Sequence, residues 1–510
     1  MNHLKKILLN SFKNYPEHVA ITYNDKKITY KSLYEKVKVL TNYLQDVQNS
    51  SVVTIYMNRS IETVIAVLAT ILADRIFCAI DINTPKSNIL KIVQEIESNI
   101  IITDETYICS LPMSDMSDKK IYKLSLKDSN SLSIIEYGKN FYTIQSFSTQ
   151  DVSHIIYTSG STNLPKGVLA RQTSLINFIS WEHDMLHIVS KNIATAQIST
   201  PWFDPYARDL FLPLFYGGCV CIPNKRQLFD ARAFFDFSKR NKINVIHIVP
   251  TLFRQLFLNQ KYYEDYSIEH ILLAGEMVHG DDIKKYRERF SNGQLYNLYG
   301  PTETTMSKFY HIINKNDICV EHVHVGKPLP DTFCKIIDNN GKELPFGNEG
   351  EIVIYTKFAS LGYLKRPQLN KEYFADIGNG IVEYRTSDMG IMHSADDLEV
   401  VGRKDNMKKI YGQKVHSEEI ESVMLKYSEV KNCAAYITEN KVIALVEKTN
   451  NFQFKILEDI LNKYLLKYKI PSEILLVIKI PLNKNGKIDR KNIDNIDESY
   501  IIERIPVKLK

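Results

Sequence analysis

One short run concentrates the chemistry-bearing residues of this chain: His154-Ile155-Ile156-Tyr157-Thr158-Ser159-Gly160-Ser161-Thr162-Asn163-Leu164-Pro165-Lys166-Gly167. An apolar strand runs into a loop of small hydroxyl residues and glycine, closed by a lysine. Backbone N–H groups, hydroxyl donors and one ammonium are what a phosphate chain requires. Gly160 and Lys166 have Walker A spacing, but Pro165 takes the second glycine position of that loop. Gly167 stands where its Ser or Thr would hold magnesium, so this is a phosphate loop of another kind. Without the strand and the lysine, the same residues read as a surface loop.

Such a loop needs a scaffold, and the surrounding pattern supplies one. Residues 3 to 14 read as a helix, followed by short strands around Val19-Tyr23 and Lys27-Tyr30. A helical pattern then runs from Tyr30 to Leu44, with a strand at Val52-Met57 and a helix at Ile61-Leu72. The alternation recurs through Val245-Val249, Thr251-Leu258, Ile271-Ala274 and Gly280-Phe290, as expected for a mainly parallel sheet flanked by helices. From about Gly326 the texture changes to short strands separated by turn signals such as Asp338-Asn339-Asn340-Gly341. Near Gly412 a βαβ-like unit begins, with helices at Ser417-Lys426 and Lys455-Tyr468 and strands at Ala434-Ile437 and Val442-Val446. The segment Val401 to Asp405 is the expected domain boundary, and 510 residues exceed what one core usually serves.

The phosphate-loop segment resembles a signature of the acyl-adenylate-forming (AMP-binding) superfamily, which includes acyl-CoA synthetases, luciferases and nonribosomal peptide synthetase adenylation domains. Further stretches resemble that family's signatures in order. They are Ile28-Thr29-Tyr30 through Leu33, Tyr299-Gly300-Pro301-Thr302-Glu303-Thr304-Thr305, Gly350-Glu351, Gly362-Tyr363 with Arg366-Pro367, Tyr384-Arg385-Thr386-Ser387-Asp388, Gly402-Arg403-Lys404-Asp405 through Gly412, and Asn485-Gly486-Lys487-Ile488-Asp489-Arg490. The resemblance implies an α/β fold. A large N-terminal domain, 1–404, holds two α/β subdomains and a small β-barrel-like unit; a small mobile α+β domain, 405–510, follows. Asn163 and Ser387 stand where the family has glycine, and His416 where it has glutamate.

The implied reaction is attack of a carboxylate on the α-phosphorus of ATP with loss of pyrophosphate. Two anions must meet, so positioning and charge neutralisation dominate. By resemblance, Thr158, Ser159, Gly160, Ser161, Thr162 and Lys166 grip the leaving pyrophosphate, and Glu303 holds Mg2+. Tyr299, Gly300 and Thr302 form the adenine loop, with Tyr299 stacked on the base. Asp388 takes the ribose hydroxyls with Arg403 as a second contact. Lys487 enters the site for adenylation, Asp405 is the hinge of the small domain, and Lys409 faces the site after rotation, for thioester formation.

The segment Trp202-Phe203-Asp204-Pro205 separates branches of the family. In amino-acid-activating members an Asp at the position of Asp204 pairs with the substrate α-ammonium; the alternative for Asp204 is a helix N-cap. The side-chain pocket carried over is Pro205, Arg208, His247, Leu272, Ala274, Leu298, Met306 and Ser307. It resembles those of serine- or alanine-activating members, with His247 offering one hydrogen-bonding group. Arg208 either reads an acidic or polar side chain or pairs with Asp209.

No Gly-Gly-x-Ser attachment signature for phosphopantetheine is present in the sequence. The expected partner is therefore a phosphopantetheinylated carrier protein supplied in trans, as for D-alanine–carrier protein ligases. Rival readings are an acyl-CoA ligase on the same fold and a non-catalytic relative that binds nucleotide or amino acid. The net charge of +5 is mild and its Lys/Arg are scattered, which points away from nucleic acid. The longest strongly apolar run, Val64 to Ala73, is half a membrane span, so a cytoplasmic protein is expected. Seven cysteines without a CxxC pair read as reduced and structural, with no zinc site among them.

Overall fold

The computed structural model describes residues 3–47, 50–126, 132–137, 151–158, 165–258, 267–404, 407–410, 413–438, 441–465, 469–483, 486–490, 492–493 and 496–507. The expected phosphate-binding residues Ser159, Gly160, Ser161 and Thr162 and the expected hinge Asp405 lie outside them, as does the side chain of Lys409.

Two large sheets carry the first 330 residues. In the nine-stranded sheet the order is Lys327–Pro328, Phe309–Ile312, Gln294–Tyr299, His270–Ala274, Val245–Ile248, Ala194–Ala196, Cys219–Ile222, Val19–Tyr23, Lys26–Thr29. Its middle strands are parallel, and antiparallel strands close both edges. The seven-stranded sheet runs Leu132–Tyr137, Lys120–Leu126, Ile100–Asp104, Val52–Tyr56, Ile76–Ala79, Val152–Thr158, Lys166–Arg171. Parallel strands covered on both faces read as continuous apolar runs, and Val52–Tyr56 is buried at every position.

The helices between the sheets follow from their sequences. Ile61–Leu72 is buried at every residue but Glu62, and starts where Ser60 accepts a hydrogen bond from Thr63 N. Tyr30–Gln45 instead buries one stripe, Leu33, Val37, Leu40 and Leu44, and starts at the Thr29 cap. Both helices join one core cluster with strands of both sheets. The expected helix Thr251–Leu258 differs in detail: it opens as a turn of α-helix, Pro250–Phe253, and widens to a π-helix at Arg254–Leu258. There the buried Arg254 guanidinium turns onto the Asp282 carboxylate, Nε to Oδ2 at 2.9 Å.

The β-rich unit is a five-stranded antiparallel sheet. Its long strand Val382–Ser394 pairs with Glu349–Thr356, Phe374–Asp376 and Asp397–Arg403. Beyond it, Met407–Ile410 pairs with Gln413–His416, and a four-stranded sheet Val430–Ile437, Val442–Lys448, Glu473–Val477, Ile501–Pro506 follows. The helices Ser417–Leu425 and Phe454–Tyr464 accompany it. Residues 415–507 build apolar clusters of their own. Among the described residues no helix is long and apolar enough to cross a membrane.

Candidate active site

The antiparallel pair Val152–Thr158 and Lys166–Arg171 sets Thr158 opposite Lys166, so the chain between them leaves and re-enters at one point. Lys166 Nζ donates to the Tyr363 hydroxyl at 2.9 Å, and that hydroxyl donates to Glu303 Oε1 at 2.8 Å. Lys166 and Glu303 face each other at 3.8 Å across this bridge. The ammonium also lies over the Tyr363 ring, 4.2 Å from its centroid. Glu303 is buried on the short turn Thr302–Thr304, and among the described residues its Oε2 makes no hydrogen bond.

The turn entering this region is built by close approach. A Cβ on Gly300 would stand 2.6 Å from Met306 O and 2.7 Å from Lys308 N, so only glycine fits. The chain returns through Thr305 and Met306, both at positive φ, and Lys308 N closes the turn on Tyr299 O. The Tyr299 hydroxyl donates to Asp388 Oδ2 at 2.6 Å, and Arg403 Nη1 stands 3.5 Å from Asp388 Oδ1. Burial raises the Asp388 carboxyl above its ordinary value, with Arg403 and the Tyr299 hydroxyl opposing. Ser387 adopts φ +60, the glycine-like conformation that its place in the signature implies.

Lys487 reaches this cluster from the far end of the chain. The turn 483–487, closed by Asn483 N to Lys487 O, holds Gly486 at φ +80. Lys487 Nζ donates to Gly275 O at 2.9 Å and lies 5.0 Å from the Phe203 ring centroid. Burial lowers its ammonium from the usual lysine range; Glu276 opposes this, while Arg208 and Arg403 add to it.

Four of the expected pocket residues lie on neighbouring strands of the nine-stranded sheet. His247, Leu272, Ala274 and Leu298 are brought together by register, His247 opposite Leu272 and Ala274 opposite Leu298. Leu272, Leu298 and Met306 share one apolar cluster, and Ser307 is buried beside Met306. Pro205 opens the helix Pro205–Phe215. Asp204 precedes it without making a side-chain cap, so the N-cap alternative fails. Asp204 is 6% exposed; Oδ2 accepts from Met306 N at 3.3 Å, and Oδ1 makes no hydrogen bond but faces His154 Nε2 at 3.9 Å.

Two expectations about the pocket are corrected. His247 has no hydrogen-bonding group to spare: Nδ1 meets Asp209 Oδ1 at 2.7 Å and Nε2 meets Glu182 Oε1 at 3.1 Å. Burial disfavours the charged ring, yet the carboxylates outweigh it and raise the imidazole above its ordinary value. Arg208 does not pair with Asp209, whose carboxylate is shared between His247 and Ser199 N. Arg208 is 4% exposed, forms no salt bridge among the described residues, and leaves Nε without a partner.

The family model for the AMP-binding enzyme matches residues 8–364. The chain belongs to the AMP-binding enzyme family. Zwittermicin A synthase ZmaJ of Bacillus cereus is 29% identical to this AMP-binding enzyme over 503 residues, covering 96% of this chain and 94% of that protein. Gramicidin S synthase 2 of Brevibacillus brevis is 28% identical over 503 residues; the match covers 94% of this chain but 11% of that synthase. Among solved structures, a four-domain nonribosomal peptide synthetase bound to AMP and glycine aligns with a TM-score of 0.80 at 24% identity, over 96% of this chain and 36% of that one. O-succinylbenzoate coenzyme A synthetase from Bacillus subtilis, in complex with AMP, aligns at 0.78 and 21% identity, over 96% and 98%. This AMP-binding enzyme thus has the fold of adenylate-forming enzymes.

Three of its site residues escaped the sequence reading. Gly275 lies beneath Lys487, directly after the expected pocket residue Ala274, and its sequence neighbourhood carries no sign of that contact. Tyr363 bridges Lys166 to Glu303, although its signature was recognised without a role. Lys308, 2% exposed, donates to Thr305 O at 2.8 Å; burial drops its ammonium to about 7 against the pull of Asp204. Nothing in its local sequence marks Lys308 as buried.

Proposed function

We propose that this protein activates a small amino acid as its aminoacyl-adenylate at the expense of ATP, releasing pyrophosphate, and then transfers it to the phosphopantetheine thiol of a separate carrier protein. The observation that carries the reading is Asp204, a buried carboxylate whose Oδ1 makes no hydrogen bond and whose Oδ2 is bonded to Met306 N, Met306 sharing its apolar cluster with Leu272 and Leu298. A buried anion calls for a cation, which an α-ammonium supplies and a fatty or aryl acid does not. Arg208, buried with Nε unpaired, favours a substrate whose short side chain carries an acceptor, a hydroxyl or a carboxylate, over alanine.

Lys166 and residues 158–162 take the β- and γ-phosphates, Asp388 and Arg403 the ribose, and Tyr299, Gly300 and Thr302 the adenine edge. The unbonded Oε2 of Glu303 is a hard oxygen donor that would hold Mg2+. Bound there, Mg2+ would neutralise charge on the phosphates. Tyr363 joins Lys166 to Glu303 and holds the ion pair aligned. Lys487 donates to the substrate carboxylate and the transferring phosphate, where charge develops as the acyl–phosphate bond forms. Rotation of residues 405–510 about Asp405 would then withdraw Lys487 and bring Lys409 to the site for thioester formation. ATP supply places this chemistry in the cytoplasm.

The test is amino-acid-dependent exchange of labelled pyrophosphate into ATP across L- and D-amino acids, short fatty acids and aryl acids. Exchange with a small amino acid, followed by loading of a holo carrier protein, is expected. Exchange only with a non-amino acid, with product formed on free coenzyme A, would make the protein an acyl-CoA ligase, and exchange with nothing would make it a binding protein.

A further inference from the structure

On the hairpin formed by Val382–Ser394 and Asp397–Arg403, His393 and Glu399 project together, His393 Nε2 to Glu399 Oε2 at 2.8 Å. A third group comes from another part of the chain. Val325 N and Gly326 hydrogen-bond to Leu398 on the same hairpin, and this holds His324 over it. His324 Nε2 stands 3.7 Å from the same Glu399 oxygen, and its ring lies 4.7 Å from that of His393 at an interplanar angle of 5°. One donor atom from each of the three residues lies within 4.8 Å of the others.

We propose that His324, His393 and Glu399 bind a zinc ion, at a site separate from the nucleotide and amino-acid pocket. Two imidazoles and a carboxylate are a borderline-soft donor set that suits zinc and not magnesium. Tetrahedral zinc with bonds of about 2.0–2.1 Å needs donors roughly 3.3 Å apart, so side-chain shifts of about 1 Å close the site. The surroundings have the build of a metal site. Asp397 Oδ1 accepts from His324 Nδ1 at 2.8 Å, which puts the proton on Nδ1 and leaves the Nε2 lone pair facing Glu399. His322 Nδ1 stands 3.8 Å from the other Glu399 oxygen and steadies the carboxylate from behind. His324 and Asp397 also border a cleft of about 440 Å³, shared with His311, Asp317 and Lys327, which gives water and ions access to this edge of the cluster. Binding would displace the proton that His393 Nε2 now shares with Glu399, and this proton leaves to solvent. The ion would clip the edge of the nine-stranded sheet, just before Lys327–Pro328, to the hairpin whose far end pairs Asp388 with Arg403.

The experiment is calorimetric titration of zinc chloride into tag-free, chelator-stripped protein, with elemental analysis after dialysis and thermal melts with and without zinc. One zinc per chain and a raised Tm are expected. His324→Ala and His393→Ala should each weaken binding about 100-fold or more, and Asp397→Asn about 10–100-fold by freeing the His324 ring. Pyrophosphate exchange of the metal-free variants should match that of the metal-free parent. No retained zinc would overturn the proposal, and so would zinc retained equally by His324→Ala and His393→Ala. Neither result touches the adenylation reading.

Discussion

Gly275→Ala tests how Lys487 is held. Gly275 has φ +85, and an added Cβ would stand 2.5 Å from Lys487 Nζ and 3.0 Å from Cε. Left-handed backbone costs an alanine about 1–2 kcal/mol, which a folded domain of this size can absorb. The clash is with the end of a flexible side chain, so the lysine moves and the strand stays. What is lost is the bond from Nζ to Gly275 O and the position of the ammonium. Removing one aligned donor from a transition state typically costs about 10²–10³-fold, or about 2.7–4 kcal/mol. Amino-acid-dependent pyrophosphate exchange by Gly275→Ala should therefore fall about 100-fold while the circular dichroism spectrum is kept. Transfer from preformed adenylate to carrier thiol, which does not use Lys487, should stay within about threefold. Because both substitutions act on one group, Gly275→Ala with Lys487→Ala should be no slower than Lys487→Ala alone. A folded Gly275→Ala with parental exchange would refute the reasoning, and so would a double variant slowed by the product of the single effects.

Asp204→Asn should raise the amino-acid KM about 100-fold with little change in the ATP KM, since it removes the buried charge that we propose meets the α-ammonium; an unchanged amino-acid KM would return Asp204 to a structural role. Lys308 titrates at about 7 in the fold and far higher when unfolded. The unfolded chain therefore holds more protons above pH 7, and stability should rise with pH from about 7 towards 10, by about 1.4 kcal/mol per unit at most. Deprotonated Lys308 also stops competing for Asp204, so the amino-acid KM should fall as pH rises through about 7; Lys308→Met should flatten both trends, and trends that persist in it would dismiss Lys308 as their source. Tyr363→Phe removes the hydroxyl between Lys166 and Glu303 and should raise the KM for Mg–ATP about tenfold, measured by exchange at saturating amino acid; an unchanged value would mean that the ion pair aligns itself.

The legible parts of the molecule were those that local chemistry dictates. Apolar runs such as Val52–Tyr56, and the stripe of Leu33, Val37, Leu40 and Leu44, mark strands and helices because burial of each element follows its own period. The turn through Gly300 was visible because phosphate, adenine and ribose sites are short contiguous loops. The pocket was legible as a set of positions, but its electrostatics were not. Whether Arg208 meets Asp209 depends on His247, 38 residues from Asp209 on a strand of the sheet, whose other ring nitrogen is held by Glu182 from the helix Gln172–Leu186. The π-helix at Arg254–Leu258 escaped for the same reason, since its apolar pattern fits an α-helix and the distant Asp282 engages Arg254.

The layered α/β scaffold and the ordered series of signature loops, with Lys487 in the last of them, are written in residue order alone, because each rests on residues within one turn or one strand of each other. Only the tertiary structure decided which charges are paired. Lys487 meets a carbonyl 212 residues away, Asp204 keeps one oxygen without a hydrogen bond, Arg208 keeps Nε without one, and His324 is laid over His393 and Glu399. The energy of a buried charge is set by what stands within a few ångströms of it, and packing, not spacing along the chain, chooses those neighbours.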